Sequence, residues 1–174
     1  GLDLTRYASY LRALLDVVAP LEDACTQLPA LSTAWPEHAV RRKAHLLRAD
    51  LAELGEENGP RPDAPESTRE SLHPAALPAV SDVATALGVA YVLEGSTLGG
   101  VVLKRELEAR IGRLPTRYFD CYGAELGPRW QQFLSHLESV QLASEEDESR
   151  LVSSAISTFS RFEQSFLARG LCHA

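Results

Sequence analysis

The chain has 174 residues, 45% of them apolar and 24% charged, with a net charge of −7 at neutral pH. That length fits one domain with a real core, and the balance is ordinary for a globular protein. No sizeable basic stripe meets the eye, which argues against a nucleic-acid partner. No apolar run approaches a membrane span and nothing at the start resembles a signal peptide, so the expectation is a cytoplasmic protein without a membrane anchor. Cys25, Cys121 and Cys172 lie far apart without CxxC spacing, and neither a disulfide framework nor a thiolate metal site is indicated.

In chain order, Tyr7, Leu11, Leu14, Val18 and Leu21 recur at alternating steps of four and three, one face of an amphipathic helix from about Asp3 to Cys25. Pro20 is expected to bend it or end its first part. Pro36 suits a second helix start, with Val40, Ala44, Leu47, Leu51 and Leu54 as its apolar face and Gly55 as its stop. Arg41, Arg42, Lys43 and Arg48 interleave with that face and read as a solvated flank. From Glu56 to Pro78, prolines and polar residues predict a long surface connection with a short turn of helix near Ser67 to Leu72. His73 lies in it without a second ligand at usable spacing, so no metal site is expected.

A long helix is predicted from near Ala79 to Ile111, closed by Gly112 and Pro115. Thr116 to Tyr122 reads as a short helix, and Pro128 opens another with Trp130, Phe133, Leu134, Leu137 and Val140 on its apolar side. Ser144 with Asp147 marks the start of the last helix, whose stripe is Leu151, Ala155, Phe159, Phe162 and Phe166. No alternating strand, internal repeat or second domain stands out. The predicted fold is an all-α, single-domain helical bundle spanning residues 1–174.

The long helix contains YVLEGSTLGGVVLK, Tyr91 to Lys104, with Gly95, Gly99 and Gly100 inside it. Each glycine costs an interior helix about 1 kcal/mol relative to alanine. Two readings offset that cost: a small-residue notch where helices cross, or a flat ligand lying against bared backbone. The stretch resembles the distal helix of the heme oxygenases, most closely the bacterial branch that supplies biliverdin to bacteriophytochromes. Arg6-Tyr7 through Pro20-Leu21-Glu22, Arg42-Lys43 through Asp50-Leu51, and Tyr118-Phe119 through Tyr122-Gly123 to Arg129-Trp130 and Phe133 are similar to further segments of that family. The resemblance covers about Leu4 to Leu167.

The resemblance implies a heme oxygenase bundle with a glycine-kinked distal helix. It implies oxidative cleavage of heme, as substrate and cofactor, to biliverdin, carbon monoxide and iron. Electrons would come from a ferredoxin, flavodoxin or reductase, and a bacteriophytochrome is a candidate biliverdin acceptor. Gly95, Gly99 and Gly100 would shape the distal face, and Ser96 stands where animal enzymes carry an aspartate that anchors the distal water. Phe159 and Phe166 match phenylalanines that wall the heme pocket, and Tyr91 is a further heme-binding candidate.

Two departures accompany the likeness. The family's proximal histidine belongs on a helix ahead of the segment matched by Arg6 to Glu22, which places it before Gly1. The chain, which has no methionine, is therefore expected to lack that ligand-bearing helix, and no metal ligand is assigned among His38, His45, His73, His136 and His173. The family's propionate clamp is not reproduced either, with Gln131 and Ser135 at the comparable positions and Arg117, Arg129, Tyr91 or His136 as substitutes. Two alternatives stay open: a heme-oxygenase-fold binding or regulatory protein without catalysis, and a thiaminase-like helical enzyme using Cys121.

Overall fold

The structure, a computed structural model, describes residues 3–55, 77–140 and 142–171. The expected surface connection with its short helical turn lies mostly outside the described residues, as do His73, Cys172 and His173. Among the described residues there is no strand, in agreement with the all-α expectation. The long helices are α1 (Leu4–Thr26), α3 (Ala44–Glu53), α4 (Val83–Ile111), α5 (Leu126–Ser139) and α6 (Glu145–Ala168), with a short α2 (Pro29–Ala34) and 3₁₀ turns at Pro36–Arg41 and Gly123–Glu125.

Helix α1 begins where the Asp3 carboxylate accepts the Arg6 backbone N–H at 2.8 Å. It continues through Pro20, so the expected end of a first part does not occur there. Val17, Val18 and Leu21 on that stretch are 0–1% exposed, and burial of three such side chains, about 1.5–3 kcal/mol each, outweighs the roughly 3 kcal/mol that an interior proline costs.

The second predicted helix is divided. Pro36–Arg41 winds as a 3₁₀ turn, and α3 starts only at Ala44. No local side chain caps α3. Glu22 reaches across from α1 instead, accepting the backbone N–H groups of Lys43 at 2.6 Å and Ala44 at 3.2 Å.

Helix α4 starts later than expected, at a capping box. The Asp82 carboxylate accepts the Thr85 N–H at 2.9 Å, and the Thr85 hydroxyl accepts the Asp82 N–H at 3.1 Å. The helix then continues for 29 residues through all three glycines without interruption. It is long and apolar enough to cross a membrane by length and composition, with a mean hydropathy of 1.5. A helix apolar on all sides is equally the core of a domain, and here α4 packs most extensively against α6 and also contacts α1, α2 and α5.

The α4–α6 crossing is at Gly88. A Cβ there would meet the Leu151 carbonyl oxygen and come within 2.9 Å of Ser154 Cβ. The Ser154 hydroxyl donates to Thr85 O at 2.8 Å across the same contact.

Residues 116–122 form turns rather than the expected short helix. Asp50, fully buried on α3, accepts the backbone N–H groups of Arg117 and Tyr118, both at 3.0 Å, and the Arg117 guanidinium at 3.1 Å. The Asp50 carboxylate pins the segment from outside, and the segment keeps a helix-type hydrogen bond of its own, from the Asp120 N–H to Thr116 O at 2.9 Å. Helix α6 starts as predicted, the Ser144 hydroxyl accepting the Asp147 N–H at 3.2 Å. Its buried face differs from the expected one: Ser154, Ala155, Thr158, Phe162 and Ser165 point inward, and Phe159 is 57% exposed.

Candidate functional site

Gly95, Gly99 and Gly100 of α4 differ in their surroundings. A Cβ on Gly95 would lie 3.4 Å from the Trp130 ring, and one on Gly100 would lie 3.1 Å from the Phe119 ring. One on Gly99 would meet nothing within 4 Å. Gly95 and Gly100 therefore face protein rings, the helix-crossing reading, and Gly99 bares backbone to open space.

The face that Gly99 belongs to is apolar and uncovered. Val102 lies one turn on from Gly99, and Tyr91 and Leu98 form an adjoining stripe with it at helical spacing; the three are 38–59% exposed. On α6, Val152, Ile156 and Phe159 form a second exposed apolar stripe at steps of four and three. Tyr91 also packs at 5.6 Å, tilted, on Trp130, joining it to the ring that covers Gly95.

Phe166 is half-buried and stacks parallel to Tyr10 at 5.0 Å, and Tyr10 stacks on Phe119 at 6.4 Å. This run of rings links α6 through α1 to Gly100. Phe159 makes no ring contact among the described residues.

Ser96 is exposed beside Gly99, with its hydroxyl donating to Leu93 O at 2.9 Å. The buried phenol of Tyr118 lies near it. Burial raises the Tyr118 phenol well above its ordinary range, the Ser96 contact pulling the other way. The Tyr118 phenol therefore stays neutral beside the glycine turn. Tyr10, Tyr118 and Phe119 were not singled out from sequence as site residues; aromatic residues near a glycine turn are usually core, and only tertiary contact separates these.

One residue before Gly95, a buried ionic cluster departs from the solvated flank expected of Arg41 and Lys43. Both are 3% exposed and Glu94 is 2% exposed. Glu94 accepts Arg41 at 2.8 Å, Lys43, and the Tyr122 hydroxyl at 3.0 Å to each oxygen. Arg41 continues to Glu37 at 2.8 Å, Gln132 at 2.9 Å and the Arg129 carbonyl at 3.1 Å.

A cavity of about 30 Å³ borders this cluster, between Glu22, Cys25, His38, Arg41, Lys43 and Glu94. It holds about one water and no porphyrin. A larger open groove, about 300 Å³, lies between the starts of α4 and α6 and is lined by Thr85, Arg150 and serines. Pro78 and Ala79 add apolar surface at its edge.

The remaining polar candidates are engaged elsewhere. His38 donates to Trp35 O at 3.0 Å, His136 bonds Ala34 O, and His45 is exposed on α3. Arg117 pairs with Asp50 and Glu53. No cluster of three metal-ligating side chains occurs among the described residues. Burial pushes the Cys121 thiol up to about 11, Lys43 acting against and Glu94 with that rise. A nucleophilic cysteine needs the opposite shift, so the thiaminase-like alternative gains no support.

The fold is an all-α bundle whose longest helix carries a glycine turn, bare at Gly99 and packed on aromatic rings at Gly95 and Gly100. The sequence matches the heme oxygenase family over residues 1–168, and the chain belongs to that family. A comparison with curated proteins returned no match.

Proposed function

We propose that the chain cleaves heme to biliverdin, carbon monoxide and iron, with the substrate lying against the open side of Gly99. The observation that carries this reading is the space at Gly99: an apolar helical face on which the one missing Cβ leaves backbone exposed rather than packed. Membership of the heme oxygenase family supports heme as the substrate and a redox partner as electron source.

Heme bound there supplies the iron that activates dioxygen and the ring carbon that is oxidised. Gly99 lets a planar ring approach the backbone more closely than any side chain would allow. The Ser96 hydroxyl, exposed beside Gly99, can orient a water there without adding charge. Gly95 and Gly100, seated on Trp130 and Phe119, keep the turn from shifting under the ligand. Phe159, Phe166 and Tyr91 offer apolar contact area at the margin.

The finer reading, a bacterial cytoplasmic enzyme of the biliverdin-producing branch fed by a ferredoxin, flavodoxin or reductase and serving a bacteriophytochrome, rests on the likeness of YVLEGSTLGGVVLK and its flanking segments. A non-catalytic heme-binding role is favoured by one observation. Among the described residues, His38 and His136 are held by the backbone carbonyls of Trp35 and Ala34, so neither is free to hold the heme iron. Addition of reductant in air to the heme-loaded, full-length gene product separates the two. A green bilin with release of iron supports the enzyme; heme that stays intact through repeated reduction supports the binding protein.

A further inference from the structure

From Val83 to Leu103, Glu94 is the only charged residue, and it is buried. Removing a carboxylate from water is costly, and well-packed apolar residues in place of a buried ion pair are often neutral or stabilising. Stability alone is a poor reason for the cluster. The helix itself suggests a better one. Because α4 is apolar or glycine on nearly every side, hydrophobic patterning does little to fix its rotation about its own axis. A single buried polar residue can set register where apolar packing leaves it open.

We infer that Glu94 is a positioning residue, clamped by Arg41, Lys43 and Tyr122 so that the next turn of α4 presents Ser96 and Gly99 outward. The inference rests on the proposed heme reading. Its geometry is direct: the donors come from two separate segments, the 3₁₀ turn with the residues after it and the 117–122 turn. Arg41 ties the same carboxylate to α5 through Arg129 O and Gln132. Successive helical residues lie about 100° apart, so a fixed Glu94 fixes Gly95 to Gly99. Thr97 tightens the turn further, its hydroxyl donating to Glu94 O at 2.6 Å.

The test compares Glu94→Gln and Tyr122→Phe with Asp82→Ala, which weakens the same helix at its cap, far from the glycines. Tyr122→Phe keeps the ion pairs and so covers the case in which Glu94→Gln does not fold. In the heme-free protein, amide hydrogen exchange at residues 95–103 should rise about tenfold in the clamp variants. In Asp82→Ala the rise should fall on residues 83–90 instead. In the heme-loaded protein the clamp variants should alter the ratio of bilin isomers and the visible spectrum of the ferric complex, and Asp82→Ala should leave both as in wild type. Unchanged exchange at 95–103 overturns the clamp. Raised exchange with an unchanged isomer ratio and spectrum overturns its role in positioning. Wild-type protein that makes no bilin overturns the heme oxygenase reading and, with it, that role, while the exchange result still decides the clamp.

Discussion

Three glycines of α4 predict three different responses to a methyl group. At Gly99 a Cβ meets nothing within 4 Å, so Gly99→Ala should stabilise the heme-free protein by about 0.4–1 kcal/mol through helix propensity. At Gly100 the same gain is opposed by Phe119, 3.1 Å away, and Gly100→Ala should come out near neutral. Gly88→Ala forces a Cβ against Leu151 O and Ser154 and should lose about 1–3 kcal/mol as the helices part. Urea unfolding of the three variants checks the order; a destabilised Gly99→Ala would show that the space is not open. The thiols make a second residue-scale prediction. Burial pushes Cys25, beside Glu22, and Cys121 each up to about 11, so neither should react with iodoacetamide at pH 7 on a timescale that labels the urea-unfolded chain.

Among the elements, the ends of helices were more legible than their buried faces. Ser144 with Asp147 announced α6 locally, and the structure has that cap. The same kind of signal at Asp82 and Thr85 passed unread because the apolar run seemed to begin at Ala79. Phe159 illustrates a harder case. The stripe Leu151, Ala155, Phe159 and the stripe Ala155, Thr158, Phe162 both fit a helical period, and the fold chose the second, leaving Phe159 exposed. Arg41 and Lys43 could not be placed from local sequence, since their partner Glu94 lies more than fifty residues on. The glycine turn itself was legible as a feature, but which glycine is packed and which is bare depends on Trp130 and Phe119.

The α4 cap also carries a pH prediction. Burial works against charge at Asp82, but the Thr85 N–H and hydroxyl and the Arg150 guanidinium outweigh it and hold the carboxyl below its usual range. A depressed carboxyl contributes stability above its ordinary value and loses it as pH falls through the folded value. Asp82→Ala should cost about 1 kcal/mol at pH 7, and the gap from wild type should narrow below about pH 4. A gap that stays constant to pH 3 would mean that the charge contributes nothing.

For the whole molecule, family membership and the all-α bundle agree with the reading of YVLEGSTLGGVVLK, and α4 organises both the core and the candidate site. One side of the glycine turn is locked by rings and by Glu94, and the other is left bare. On the proposed function, that division would let a helix with three glycines in six residues hold its shape and still admit heme. The most direct measurement is a hemin titration, followed by visible absorption, of full-length wild type beside Gly99→Leu. The account predicts saturable binding by wild type and at least a tenfold weaker affinity in Gly99→Leu, about 1.4 kcal/mol, with no loss of unfolding stability. Equal affinity in the two proteins would place the heme, if bound, elsewhere on the molecule and contradict the site proposed here.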